Sequence, residues 1–320
     1  DNLEASKAQE RAFERQLEQT QQRFEVGLIA ITDVYEAQAA YDLSQVNRIV
    51  DENNVSVALE RLSVLTGRSH DNLDILKEDI EIKLPEPTDR AAWVDFALEN
   101  NFNLLAAKYA EEAARQAAKA SQLEHAPKVS GLVAYEDYET DGDLTRRPST
   151  GLDVAPDRDT EDQLWQIRLD LPLYSGGAIS ANRRRAAQEF NAARENRINL
   201  ARNTVTNTRS LHMTVISDVA RVAARKQSIV SSRSALDATQ AGYEVGTRNV
   251  VDVLNFQTTL FAAERDYYNS RYDYIINMMR LKEQAGLLSP EDVYRLDSFL
   301  IPPPPPTASG STTSLSLIHI

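Results

Sequence analysis

The chain has 320 residues, 42% of them hydrophobic, enough to bury a core in roughly one to three domains. Its net charge of -13 excludes nucleic acid as a partner, because counterion release needs clustered Lys and Arg facing phosphates. Cysteine is absent, and His70, His125, His212 and His319 each lack a second ligand one helical turn away, so no disulfide framework, metal site or cofactor is expected.

The chain opens at Asp1 inside a helical pattern, with neither an N-cap signal nor a signal peptide, and an upstream part is expected to precede it. No proline occurs before Pro85 and none between Pro172 and Pro290, which predicts two sets of very long helices. An internal repeat organises them. Residues 17–67 align without gaps on 236–286. Leu17, Thr20, Gln21, Glu25, Val26, Gly27, Asp33, Val34, Gln38, Arg61, Leu62 and Gly67 recur as Leu236, Thr239, Gln240, Glu244, Val245, Gly246, Asp252, Val253, Gln257, Arg280, Leu281 and Gly286.

Each copy reads as a helical hairpin: a polar helix, a break at Glu-Val-Gly, and a second helix closing at Gly67 or Gly286. Gly27 and Gly246 sit where a chain leaving a helix needs positive φ. Thr32 or Asp33 is the expected cap of the next helix in the first copy, and Asn249 in the second. The first copy keeps Val34, Tyr41, Val55 and Leu62 at heptad spacing, with Arg48 interrupting the series.

Farther along, residues 128–138 predict a strand with Val129, Val133 and Tyr135 on one face. A long polar loop, 139–162, follows. Residues 164–174 then alternate strictly, with Trp165, Ile167, Leu169, Leu171 and Leu173 on one face and Gln166, Arg168 and Asp170 on the other. Two strands cannot close a sheet, so their edges must pair elsewhere. Leu171 to Gly177 turn the chain into a helix from about Ala178 to Ala241, ~95 Å at 1.5 Å per residue. No compact domain holds such a helix, so it lies along a fibre, bundle or tube. Its basic run, Arg183 to Arg185, reads as a solvated face with at most a headgroup contact. The second hairpin carries Val253, Leu260, Tyr267, Tyr274 and Leu281 at sevens, a coiled-coil seam. No run of about 18 apolar residues predicts a transmembrane helix, which leaves membrane strands open. From Pro302 the chain is expected to be a disordered tail, residues 302–320. Its last six residues, Leu315 to Ile320, resemble a translated sequencing adapter and carry no argument.

Three stretches stand out together: Arg23-Phe24-Glu25-Val26-Gly27-Leu28-Ile29-Ala30-Ile31-Thr32-Asp33-Val34, Leu171 to Gly177, and Ala241-Gly242-Tyr243-Glu244-Val245-Gly246-Thr247-Arg248-Asn249-Val250-Val251-Asp252-Val253-Leu254. Through them, and over about residues 8–301, the chain resembles the TolC family of outer-membrane efflux proteins. The resemblance implies a mainly α fold with a small β part. Long antiparallel coiled-coil hairpins would form an α-barrel, and the strands would join a trimeric transmembrane β-barrel in the Gram-negative outer membrane, in contact with its lipid. Residues 1–67 would be the first periplasmic hairpin, 68–105 and 287–301 an equatorial belt, 106–126 a helix leading to the membrane, 127–175 the strand pair, and 176–286 the long helix with the second hairpin. The first strand pair and its leading helix would precede Asp1.

The resemblance also implies roles. The homotrimer would be a passive exit duct of a tripartite efflux or type I secretion system, not an enzyme, joined through a periplasmic adaptor to an inner-membrane pump. Val26, Gly27 and Leu28, with Val245, Gly246 and Thr247, match tips that meet the adaptor, although Gly27 and Gly246 are also explained as turn formers alone. Thr32 and Asp33 on one hairpin, with Tyr243 and Arg248 on the other, match a gate held by hydrogen bonds. Asp252 matches a pore-facing carboxylate ring, but the second acidic position of that constriction is Asn255 here, which implies weaker block by multivalent cations. The alternative reading is a soluble coiled-coil scaffold or adaptor, which would need no detergent for extraction. An enzyme would need a nucleophile and base, a metal set or a phosphate loop, and none is found.

Overall fold

The computed structural model describes residues 1–70, 73–140, 144–147, 151–154 and 158–302, with backbone alone between 140 and 158. The tail beyond 302, its last six residues, and positions 141–143, 148–150 and 155–157 of the expected loop lie outside the described residues. The fold is mainly α with few strands, as the sequence predicts. Its described strands pair only two by two, so no closed barrel is present in a single chain. The described residues form two compact units, one from 1–101 with 203–302 and one from 102–202.

The first unit contains both hairpins. One is α1 (Asn2–Glu25) with α2 (Ile31–Thr66). The other is the later part of α5 (Ala178–Glu244) with α6 (Val250–Gln284). Repeat-related residues occupy matching places. Leu17 and Leu236 are buried in one apolar cluster with Phe13, Ala37, Val253 and Leu260. Thr20 and Thr239 are buried as well. Each hydroxyl donates to the carbonyl four residues back, Gln16 at 2.6 Å and Ala235 at 2.8 Å, so neither buried oxygen is left unsatisfied.

The seam of α6 is the predicted one, with Val253, Leu260, Tyr274 and Leu281 buried and Tyr267 half-buried. In α2 the buried column is Ala37 and Ser44, and Val55 is 40% exposed, so Val55 does not belong to a seam within this chain. α1 is tied to α2 where its Ser6 hydroxyl donates to the Asp51 carboxylate. Residues 52–58, past that contact, are all exposed. Arg48 is accommodated at its half-buried position because its Nε lies 2.6 Å from Glu10 and its Nη1 2.9 Å from Glu52.

Capping differs between the copies. Asn249 caps α6, its Oδ1 accepting from the Asp252 amide at 2.8 Å. α2 instead starts at Ile31 with Ala30 as its extended N-cap and no side-chain cap, so neither Thr32 nor Asp33 is a cap. Both lie inside the first turn, where the Asp33 carboxylate favours the positive end of the helix dipole.

The same unit is closed by shorter elements. Trp93 of α3 (Arg90–Asn100) packs with Val215 and Val222 of α5 and Tyr274 and Leu281 of α6, and its Nε1 donates to the Pro87 carbonyl at 2.7 Å. β1 (Ile75–Leu76) pairs antiparallel with β6 (Leu300–Ile301). Between α6 and β6, α7 (Pro290–Asp297) is fastened by Asp292, which accepts from the Lys282 ammonium and from the amide and hydroxyl of Ser289. Burial pushes this carboxyl up, but those donors outweigh it and hold Asp292 below its ordinary value. A depressed carboxylate stabilises the fold above its unfolded pKa, about 3.9, and that contribution is lost as pH falls through the lower folded value. Lys282→Met is therefore expected to lower the urea midpoint at neutral pH, with a smaller gap from the parent at acid pH, where Asp292 is protonated. Paired urea titrations at the two pH values check this.

The second unit holds α4 (Phe102–Gln122), a 3-10 turn at Leu123–His125, the strands and the first part of α5. Glu111 of α4 is buried and ion-paired with Arg197 of α5. β2 (Lys128–Thr140) and β5 (Arg158–Asp170) form one antiparallel ladder. Both are longer than expected on the loop side, and β3 (Leu144–Arg147) pairs with β4 (Gly151–Val154). The expected loop 139–162 is thus partly sheet, because ladder bonds are made by backbone and tolerate polar side chains. At the other end β5 stops at Asp170 and not at Tyr174, since Pro172 has no N–H to donate. Val129 and Val133 stand opposite Leu169 and Trp165. This apolar face is bare, with Trp165 75% and Ile167 87% exposed.

Candidate functional site at the hairpin tips

The two helix-to-helix turns of the first unit are built alike. Where α1 ends, Gly27 takes φ +75° and the Leu28 amide donates to the Arg23 carbonyl at 2.9 Å. Where α5 ends, Gly246 takes φ +78° and the Thr247 amide donates to the Gly242 carbonyl at 2.8 Å. Only a residue without Cβ adopts this left-handed corner cheaply. A tight corner pushes its neighbours outward, so Val26, Leu28 and Val245 are left largely exposed and Thr247 exposed beside them.

The expected gate residues fall into separate contacts. Tyr243 is buried, and its hydroxyl has no hydrogen-bond partner among the described residues. Arg248 is exposed, with Nη1 3.6 Å from Asp252 one turn along α6. Thr32 is exposed and Asp33 half-exposed. No described hydrogen bond or ion pair joins Thr32 or Asp33 to Tyr243 or Arg248. Asp252 is half-buried and Asn255 exposed, on the first turns of α6.

A residue given no role of its own from the sequence joins the hairpins. The Arg23 guanidinium lies over the Tyr243 ring, 4.5 Å from its centroid. Its Nη1 donates to the Tyr243 carbonyl at 3.2 Å and its Nη2 to the Glu244 carbonyl at 3.4 Å. These are the last carbonyls of α5, where unsatisfied acceptors and the helix dipole both favour a cation. The repeat held a signal for this, since its register places Arg23 opposite Gly242. A Cβ at Gly242 would lie 2.8 Å from the Arg248 Cγ and 3.2 Å from the Thr247 Oγ1, so the second tip folds back over the place where the first carries a long cation. Beside Arg23 is a cleft of about 530 Å³ between α1 and α5, bordered by Gln16, Gln22, Gln240 and Tyr243. Gln16 is buried there with its Nε2 unpartnered among the described residues.

The sequence pattern of the outer membrane efflux protein family matches residues 1–68 and 93–287, most of the chain. The chain belongs to this family. As an outer membrane efflux protein its place is the Gram-negative outer membrane. It is 34% identical over 306 residues to the outer membrane protein TolC of Escherichia coli (strain K12), covering 95% of the chain and 61% of that protein. It is 27% identical over 300 residues to the alkaline protease secretion protein AprF of Pseudomonas aeruginosa, covering 92% of the chain and 59% of that protein. The chain thus spans about three fifths of these relatives. Its fold is similar to that of the outer membrane protein VceC of Vibrio cholerae, with a TM-score of 0.69 at 17% identity over 89% of this chain and 65% of that one.

Proposed function

We propose that the protein carrying this chain is an outer-membrane exit duct, a homotrimer that passes small molecules or proteins passively from the periplasm to the exterior and is not an enzyme. The observation that carries this reading is the β2–β5 ladder, whose apolar face of Val129, Val133, Trp165, Ile167 and Leu169 is bare in the single chain. Such a face is stable against hydrocarbon and unstable against water. Edges left open by a two-stranded sheet require strands from elsewhere, which sister chains supply.

In this reading the exposed corners at Val26 to Leu28 and Val245 to Thr247 receive a periplasmic adaptor, which couples the duct to an inner-membrane pump. The entrance is closed by contacts of the tips, with Thr32, Asp33 and Arg248 meeting sister chains and Arg23, over the buried Tyr243, fastening the hairpins within each protomer. Asp252 forms one carboxylate ring by threefold symmetry, and Asn255 supplies no second charge.

The test places a charge on the bare face. Ile167→Lys is expected to cost about 2–4 kcal/mol at the membrane midplane and to deplete the protein from the outer-membrane fraction. Arg168→Gln, on the opposite face, is expected to leave that fraction unchanged. Recovery of folded parent protein from cells without detergent would overturn the proposal.

A further inference from the structure

The second unit carries a charge pattern that runs against the rest of the molecule. Acidic residues make up 48 of 320 in a chain of net charge -13, yet none occurs from Leu171 to Gln188 or from Ala113 to Leu123. These two stretches flank the ladder, one leaving β5 into α5 and the other leading from α4 into β2. A face that only has to be solvated takes either sign of charge, so the absence of acids from both stretches has a local cause.

Within them the side chains fall into two bands. Nearest the strands, Leu123 is 67% exposed, Leu171 51%, Leu173 90% and Tyr174 91%. Just beyond, Arg183, Arg184 and Arg185 are all exposed on the second turn of α5. At about 100° per residue they fan over about 200° of the helix surface, so no single packed neighbour accounts for them. Arg183 and Arg184 have no ion-pair partner among the described residues, and Arg185 reaches Glu189 only at 3.7 Å.

Two further cations stand at the same end. Glu111 pairs with Arg197, and Arg115 lies over the Phe190 ring, 5.7 Å from its centroid. α4 and α5 therefore run antiparallel, and the exposed Lys119 falls level with about residues 186–189 of α5. Lys128 is exposed at the start of β2. Its register partner Asp170 and the half-buried Glu124 are the acids among them.

An apolar collar that ends in a tyrosine and is followed at once by unpaired cations is the profile of a chain passing from hydrocarbon into anionic headgroups. The distances agree. A headgroup layer is about 5–8 Å deep on each side of the hydrocarbon, and the three arginines lie about 8–11 Å along the helix from Ala178, within reach of a guanidinium on its flexible stem. Cations fanned over a convex surface suit a sheet of charges better than one small anion. Resting on the reading of β2 and β5 as membrane strands, we propose that this cationic band binds the phosphates of anionic phospholipids at the periplasmic surface of the outer membrane and gathers those lipids around the duct.

The experiment reconstitutes the full protein, in a Trp165→Phe, Tyr174→Trp background, into vesicles of phosphatidylcholine with about a quarter phosphatidylglycerol, one lipid or the other carrying bromine in its acyl chains. Bromine quenches tryptophan only near contact, so emission from position 174 reads which lipid stands beside the band. The same background with Tyr174 retained supplies the baseline from buried Trp93. Brominated phosphatidylglycerol is expected to quench as though enriched about threefold or more over its share, the effect of several cations near an anionic surface. With Arg183→Gln, Arg184→Gln and Arg185→Gln together, the enrichment is expected to fall to near one while quenching by brominated phosphatidylcholine persists. No quenching by either lipid before the arginines are changed would sink the membrane reading and this proposal with it. Quenching by both lipids in proportion to their share, enrichment that survives the triple change, or loss of all quenching in the triple variant would overturn the lipid assignment alone.

Discussion

Gly286→Ala is expected to destabilise the first unit by about 3 kcal/mol or more, whereas Gly67→Ala, at the matching repeat position, costs about 1 kcal/mol. Both glycines turn left-handed, at φ +70° and +68°, so the conformational penalty is shared. The surroundings are not. A Cβ on Gly67 meets nothing within 4 Å, while one on Gly286 would lie 2.2 Å from the Asn100 carbonyl oxygen and 2.6 Å from its carbon. Those atoms are backbone and cannot rotate away. They are also held in place, because buried Asn101 donates from Nδ2 to the Gln284 carbonyl at 2.9 Å and its amide donates to Ala97 at 3.1 Å. The added methyl must therefore part the end of α3 from the end of α6 and open the cluster around Trp93, next to buried Ala285. Urea unfolding followed by Trp93 emission, in a Trp165→Phe background, measures both variants. Equal losses would mean that the close approach of the two backbones does not matter to stability.

That contrast also shows where sequence reading stops. The repeat made the paired glycines legible, because a left-handed corner is a local demand that only one residue type meets well. The α6 seam was legible for a similar reason, since Val253 to Leu281 repeat at the pitch of a helix packed on a helix. Asn249 at a helix start was legible as a local cap. What escaped was set by partners distant in the chain. Gly286 faces Asn100 across 186 positions. The strand ends escaped because ladder bonding is indifferent to side-chain polarity, so the polar residues of β2 and β5 beyond the apolar core gave no sign. Arg23 was quoted within a motif yet hidden in function, because its acceptors are backbone carbonyls and carry no residue identity.

Arg23→Met is expected to raise the single-channel conductance of the reconstituted protein severalfold, and more than Tyr243→Phe alone. If the entrance opens by parting the two hairpins of each protomer, every contact between α1 and the end of α5 opposes it. Arg23 supplies two charge-assisted hydrogen bonds and a ring contact at that place. Such bonds contribute about 1.5–3 kcal/mol each when well formed, and cation–π contacts about 0.5–1 kcal/mol at exposed sites. The 3.2 and 3.4 Å separations and partial exposure put this pair at the lower end, yet in the proposed trimer three copies of it would be released together. Tyr243→Phe keeps the ring and the carbonyl that Arg23 uses and removes a hydroxyl with no partner among the described residues. Adding Arg248→Ser, at an exposed position, therefore reports on bonds between protomers in the proposed trimer. Planar-bilayer recordings of Arg23→Met, Tyr243→Phe and Tyr243→Phe with Arg248→Ser separate the two layers of closure. A rise in the double variant with none in Arg23→Met would place the whole barrier between protomers and leave Arg23 a structural clamp, since a contact that is not broken on opening cannot hold the entrance shut.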